Sequence, residues 1–245
     1  MRKILSLILA AVFSLTACSE AGGSQGSAVV QEPAATASSS GEAIESYTVT
    51  DVRGKEIAFD AVPERVATVG KPFPSLYYAI EGATDHIVGC NPSSIKAYNE
   101  SVLRYMYPQL ENAVTDWCNT DSTVNIEELL KLRPDVVFIY STDDQEIEKI
   151  EDAGIKVVAL RSAELDSVKE NLQIIAAVCQ KEERGKQLIQ YIEEQIVEVT
   201  SRLTDVAEED KPSVIEFYSD MNVSVSQYDH WMIPSGAKNP AEGLT

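Results

Sequence analysis

Histidine is nearly absent from this chain of 245 residues: His86 and His230 are the only two. Neither belongs to a His, Cys and carboxylate set at ligand spacing, so no bare-metal site is expected. His86 opens an apolar run and reads as structural; His230, beside Trp231, has only a weak claim to approach a ligand. Also missing are a Gly-x-Ser-x-Gly elbow, a phosphate-cradling glycine-rich loop and a His-Glu-x-x-His pair. Neither enzymatic chemistry nor a cofactor is therefore expected. Cations are scarce too: 20 Lys and Arg stand against 39 Asp and Glu, a formal net charge of -19. No basic patch for nucleic acid or an anionic membrane rises easily above that background. Long apolar runs are missing but for Ile4 to Phe13, which is too short to span a bilayer.

That run has a context. Met1-Arg2-Lys3 precedes it and Leu15-Thr16-Ala17-Cys18 follows. A basic start, an apolar stretch and small residues before a cut describe a secretory signal peptide. The cysteine directly after Leu-Thr-Ala resembles a bacterial lipoprotein signal. The resemblance implies that residues 1–17 are removed and that Cys18 carries lipid, leaving the protein exported and anchored at the extracytoplasmic face of the cell membrane. An ordinary signal peptide is the alternative. Three cysteines remain, and outside the cytoplasm thiols tend to pair. Cys90 and Cys118 each follow a short run read as a strand, which favours a Cys90–Cys118 disulfide. Cys179 falls on the stripe of Leu172, Ile175 and Ala176 and reads as a small core residue.

Residues 18–46 hold almost no large apolar side chain and read as a flexible tether. Order begins with Tyr47–Thr50 and Glu56–Phe59, which alternate around Asp51-Val52-Arg53-Gly54 as a small hairpin. Strands and helices then alternate. Strands are expected at Arg65–Val69, His86–Cys90, Asp135–Tyr140 and Ile155–Leu160, the last two nearly unbroken in apolar residues. Helices are expected at Ser75–Glu81, stopped by Gly82, through Leu103 and Met106, at Asn125–Leu132 and at Gln145–Ala153. Asn125 is positioned to cap its helix, with Glu128 at the third position and Pro134 just beyond. Such alternation means a mostly parallel α/β sheet. Helical periodicity from Glu164 to Asp205 is too long for one globular helix and divides at Gln180, leaving a long helix from Lys181 to Val206. Lys211-Pro212 ends it, and Ser213–Tyr218 starts another strand.

Four stretches resemble one family. Val62-Pro63-Glu64-Arg65-Val66 is similar to its entry into the first core strand. Asn125-Ile126-Glu127-Glu128-Leu129-Leu130-Lys131-Leu132-Arg133-Pro134-Asp135-Val136-Val137 is similar to its most specific segment. Lys181–Leu188 resembles the start of its bridging helix, and Ser235-Gly236-Ala237-Lys238-Asn239 resembles a segment early in its second lobe. The family comprises the substrate-binding lipoproteins of ABC importers for iron-siderophores, haem and cobalamin. The resemblance implies an N-terminal α/β lobe over residues 47–180, an interlobe helix over 181–207 and a second lobe begun at 212–245. That second lobe lacks the remainder the family carries, so the chain is expected to be C-terminally truncated. It further implies a monomer that captures a metal chelate, foremost a ferric siderophore, for an ABC permease. A sensor or interaction lipoprotein on the same fold, or a nonfunctional remnant, is the alternative.

Ligands sit beyond the carboxyl ends of parallel strands. That rule selects four loops: Gly70–Pro74 with Phe73; Asn91–Ser94 with Tyr98 just inside the next helix; the loop of Trp117; and Tyr140–Asp143. With Tyr218 and Trp231 of the second lobe, they offer aromatic faces for a partly apolar chelate. The competing reading packs Phe73 and Tyr98 against the sheet edge and uses Asn91 and Ser94 as helix caps. The resemblance implies that Glu127 docks to an arginine of the permease. A carboxylate in a first helical turn also complements the helix dipole, which is the competing reading.

Overall fold

A computed structural model describes residues 46–162, 165–215 and 232–240. Cys18, the leader and most of the tether lie outside these residues, as do Tyr218, His230 and Trp231.

The chain opens with β1 (Tyr47–Thr50) and β2 (Glu56–Phe59), paired antiparallel. Then follow β3 (Val66–Thr68), α1 (Phe73–Glu81), β4 (Ile87–Cys90), α2 (Pro92–Asn99), α3 (Leu103–Met106), α4 (Ile126–Leu132), β5 (Val136–Tyr140), α5 (Asp144–Asp152), β6 (Val157–Leu160), α6 (Leu165–Val178) and α7 (Glu182–Ser201). The strands β4-β3-β5-β6 form one sheet, parallel at each pairing. The expected α/β parallel sheet is what forms. Among the described residues no helix is long and apolar enough to cross a membrane.

Side chains alternate across this sheet, so one apolar strand feeds two cores. Val66, Val136, Phe138, Val158 and Leu160 face α1 and α6, meeting Phe73, Tyr77, Ile80, Leu172 and Ile175. Ala67, Val69, Val137, Ile139, Val157 and Ala159 face the other way, toward Trp117, Leu129, Ile147 and Ile150. Each fully buried Val, Ile, Leu or Phe contributes about 1.5–3 kcal/mol. Local signals set the ends of the elements. Gly82 adopts φ 85° and returns its N–H to Tyr78 O, closing α1. The Asn125 side chain accepts from the N–H groups of Glu127 and Glu128, starting α4.

Two expected helices differ. The stretch through Met106 breaks into α2, α3 and a 3-10 turn at Pro108–Asn112; Pro108 stops α3, since it cannot continue the helix. The long helix ends at Ser201, short of Val206. Thr200 Oγ1 bonds back to Ile196 O, and Leu203 N–H reaches Thr200 O in a tighter turn. Leu203 then packs on Gly236, where the chain holds φ 91°. Residues 213 and 238 pair in parallel there. At its other end α7 is fastened closely. A Cβ on Gly185 would lie 2.7 Å from Ala176 Cβ, so only glycine permits this crossing on α6. Lys181 Nζ reaches Glu81 O at 3.0 Å, and Arg184 Nε reaches Ala79 O at 3.1 Å.

The expected Cys90–Cys118 bridge does not form: both are free, buried thiols, as is Cys179. The two thiols pack in different cores. Cys90 belongs to the core on the α1 and α6 face, whereas Cys118 belongs to the core around Trp117. Burial pushes all three thiols up to about 12. We expect a thiol reagent at pH 8 to leave all three unlabelled in the native chain and to label them once urea unfolds it, read by mass spectrometry. A native mass lower by two hydrogens would restore the bridge.

One outer edge of the sheet depends on a single carboxylate. Asp51, in the hairpin turn, accepts from Ala159 N–H of β6 at 3.0 Å and from Arg53 N–H at 2.9 Å. Val52 N–H meets Ala159 O at 3.4 Å. Arg53 pairs with Asp51 at 2.7 Å and with Glu151 at 3.0 Å, and Lys55 reaches Glu151 at 2.6 Å. Burial raises the Asp51 carboxyl, but the bonds from Arg53 and Ala159 outweigh it and hold the group below its ordinary value. A lowered folded-state pKa means stability present in full above about pH 4 and lost as the pH falls through the folded value. Asp51→Asn is expected to cost about 2–3 kcal/mol at pH 7 by urea unfolding. That gap should close on acidification.

Candidate functional site

The sheet is covered on both faces, so its strand ends are where backbone and side chains stay open. One opening, of about 550 Å³, lies at the wrong end. Glu64, Pro134, Asp135, Ile155 and Lys156, which line it, all precede strands. The carboxyl ends carry the four loops expected to hold a ligand, and the structure sorts their residues into three groups.

Phe73 and Trp117 turn inward. Gly70 makes room for Phe73: a Cβ there would lie 2.4 Å from the ring, and the ring is fully buried against Tyr140 with centroids 4.8 Å apart. Gly89 does the same for Trp117, whose Nε1 donates to Val114 O at 3.1 Å. Both rings are core in this structure, and Trp117 lies on the opposite face from Phe73. Asn91, Ser94 and Tyr98 form a buried second group that holds the loops in place. Asn91 caps α2 through Ser93 N–H at 2.8 Å and ties down the next loop by donating to Asn119 O at 3.0 Å. Ser94 Oγ donates to Lys71 O at 3.1 Å, and Tyr98 OH donates to Pro108 O at 3.0 Å. Tyr140, half-buried at the end of β5, has its hydroxyl pushed above its ordinary value by burial. It is the aromatic of this set that keeps some surface at the strand ends.

Beside the first two loops lies a crevice of about 240 Å³. Lys71 and Pro72 form its rim from the loop after β3, Leu103, Tyr107 and Leu110 form its far wall, and Ser75 lies between. Two of its hydroxyls bond each other, Ser75 Oγ and Tyr107 OH lying 2.8 Å apart, which leaves one O–H proton to donate. Reading the loops for aromatics missed Lys71. The available signal was its sign, a cation at the strand ends of a chain rich in carboxylates. Among the described residues no three His, Cys, Asp or Glu groups come together to hold a metal.

Glu127 occupies a separate surface. It is exposed in the first turn of α4, where Asn125 already satisfies the N–H groups of Glu127 and Glu128 at 3.1 and 3.3 Å. Lys131 pairs with Glu128, leaving no ion pair to the Glu127 carboxylate among the described residues.

A parallel sheet covered on both faces, with open loops at its carboxyl ends and a long helix leading away, is the architecture of a solute-binding lobe. The chain belongs to the periplasmic binding protein family, whose model matches residues 73–239. It is 33% identical to the molybdate-binding protein MolA of Haemophilus influenzae over 44% of this chain and 36% of that one. The iron-uptake system-binding protein of Bacillus subtilis is 28% identical over 37% and 28%. The chain thus spans about a third of the length of these curated relatives. Among solved structures, a periplasmic solute-binding protein from Veillonella parvula superposes with a TM-score of 0.71 at 27% identity, over 79% of this chain and 60% of that chain. MolA bound to molybdate superposes at 0.65 with 25% identity, over 79% and 65%. A haem-binding protein, HmuT, shares the fold at 0.54 and 21% identity, over 78% and 62%.

The inward turn of Phe73 has a direct test. Gly70→Ala forces the added methyl against the ring, and overpacking of this kind costs about 1–3 kcal/mol. We expect a lower midpoint in urea for Gly70→Ala, and Phe73→Ala to lose about 3–5 kcal/mol as a core residue does. Unchanged stability in both would place Phe73 outside the core.

Proposed function

We propose that this chain is the ligand-receiving part of an extracytoplasmic solute-binding lipoprotein that delivers a metal-containing solute to an ABC permease. The observation that carries this is the family match over residues 73–239, joined to a lobe whose accessible loops gather at the carboxyl ends of one parallel sheet. Cys18 carries the lipid that holds the chain at the membrane surface, with residues 18–46 as its tether, and the protein acts as a monomer. The solute is a metal chelate, foremost a ferric siderophore, ahead of haem and cobalamin. It rests on the loops of Asn91, Ser94 and Tyr140. A molybdate-type oxyanion is the second reading, favoured by the identity to MolA.

Glu127 supplies the contact to the permease. Its carboxylate is exposed and unpaired among the described residues while Asn125 performs the capping, so docking leaves it a role that capping does not. In cells carrying the cognate permease, Glu127→Ala is expected to lower radiolabelled iron uptake about fivefold to tenfold, as loss of a charge-assisted contact does. Ligand affinity of the purified protein should stay unchanged. Loss of both together, or of neither, would return Glu127 to a helix-end role.

A further inference from the structure

The crevice beside the first two loops is specific enough to say what part of a ligand it accepts, if the chain is a solute-binding protein as read above. Its volume of about 240 Å³ exceeds what one benzene-sized ring needs, since a cavity near 150 Å³ already holds benzene. It falls short of the roughly 300–1,000 Å³ of sites that swallow a whole ligand. The crevice therefore takes an arm, not a macrocycle. Its walls are Pro72, Leu103, Leu110 and the ring of Tyr107, which suit a flat apolar group.

Most of the hydroxyl donors inside the crevice are used within the lobe. Ser75 Oγ and Tyr107 OH lie 2.8 Å apart, and Ser94 Oγ donates to Lys71 O. An inorganic oxyanion, which needs several free donors to replace its water, finds a single hydroxyl proton there, on whichever of Ser75 and Tyr107 accepts from the other. Lys71 remains. It is exposed at the rim and has no ion pair among the described residues; Lys96, Lys186 and Lys238 have none either, and of these four Lys71 is the one that lines the crevice. Its place sets an unpaired cation beside an apolar hollow in a chain of net charge -19. Its backbone is fixed on both sides, by Pro72 after it and by the Ser94 bond to its carbonyl.

We propose that this crevice receives an aromatic, negatively charged arm of the solute, of the catecholate or salicylate type, with the ring between Pro72 and Leu103 and the acid group against Lys71. The arm enters from the loop side, so the metal it carries sits outside the crevice over the strand ends. Haem and cobalamin do not fit this subsite, and molybdate has no use for it.

The probe is 2,3-dihydroxybenzoate, alone and as its iron(III) complex, titrated into the isotopically labelled chain and followed by backbone amide shifts. Saturable shifts are expected at Lys71, Ser75, Leu103 and Tyr107. Lys71→Gln should weaken binding about fivefold, with Lys71→Arg close to wild type, as for one partly exposed charge pair. Ala97→Phe, which fills the crevice floor, should abolish the shifts while thermal unfolding stays cooperative. Neutral catechol should bind more weakly than the benzoate. Shifts that miss these residues, or indifference to both Lys71→Gln and Ala97→Phe, would overturn the crevice. Sodium molybdate or an iron(III) tris-hydroxamate binding equally well to wild type and Lys71→Gln would then keep the solute-binding reading standing without it. Binding by none of the probes would overturn both.

Discussion

Phe138 and Ile139 are neighbours on β5, both fully buried, one on each face of the sheet. That double burial governs what the rest of the chain does. A strand covered on both sides offers no face to solvent, so helices must lie above and below, and the chain must cross from one strand to the next through loops at the strand ends. Carboxyl-end loops are left to carry chemistry, while the amino ends carry anchors such as Asp135, whose carboxylate accepts from the Glu64 and Arg65 N–H groups. Arg65 in turn donates to Leu132 O, tying the start of β3 to the end of α4. A site at one end of the sheet thus stands on a foundation at the other.

Two glycines decide which side chains the carboxyl-end loops keep for the core. At Gly70 and Gly89 the missing Cβ is the space that Phe73 and Trp117 fill. The loops gain rigidity and lose their most obvious aromatic faces. What stays outside is modest: Lys71, part of Tyr140 and the mouth of a small apolar crevice. The subsite proposed above accordingly relies on one charge and a shaped hollow more than on stacked rings.

Much of this fold is readable in the amino-acid order. The unbroken run Val136–Tyr140 announces a strand buried on both faces, and Gly82 and Asn125 mark helix ends that form where their chemistry places them. The site was harder to read for a definite reason. Whether Phe73 points out or in depends on an empty volume at Gly70, three residues earlier, and absence of a side chain looks the same in a turn as beneath a ring. The cysteines failed similarly. Cys90 and Cys118 both follow strand-like runs, yet pairing depends on which face each thiol takes, and a loop of unknown path between them erases the parity count. The length of α7 was overestimated because its periodicity continues past Ser201, while Leu203 is drawn off toward Gly236, more than thirty residues downstream.

The close crossing at Gly185 also has a mechanical meaning. Glu81 and Ala79 of α1 hold Lys181 and Arg184, and Ala176 presses on Gly185, so α7 is clamped at its root. Beyond that root the helix runs about 24 Å to Ser201 at 1.5 Å per residue. Tyr191, Val197 and Val199 remain exposed along this length. It is a cantilever. A tilt of roughly 5° at the clamp would swing the far end by about 2 Å, well beyond the roughly 0.5 Å spread of hydrogen-bond lengths. Whatever is mounted past Ser201 keeps its aim through that crossing, through Leu188 and Ile192 packed on the core and through the Lys169–Glu193 ion pair.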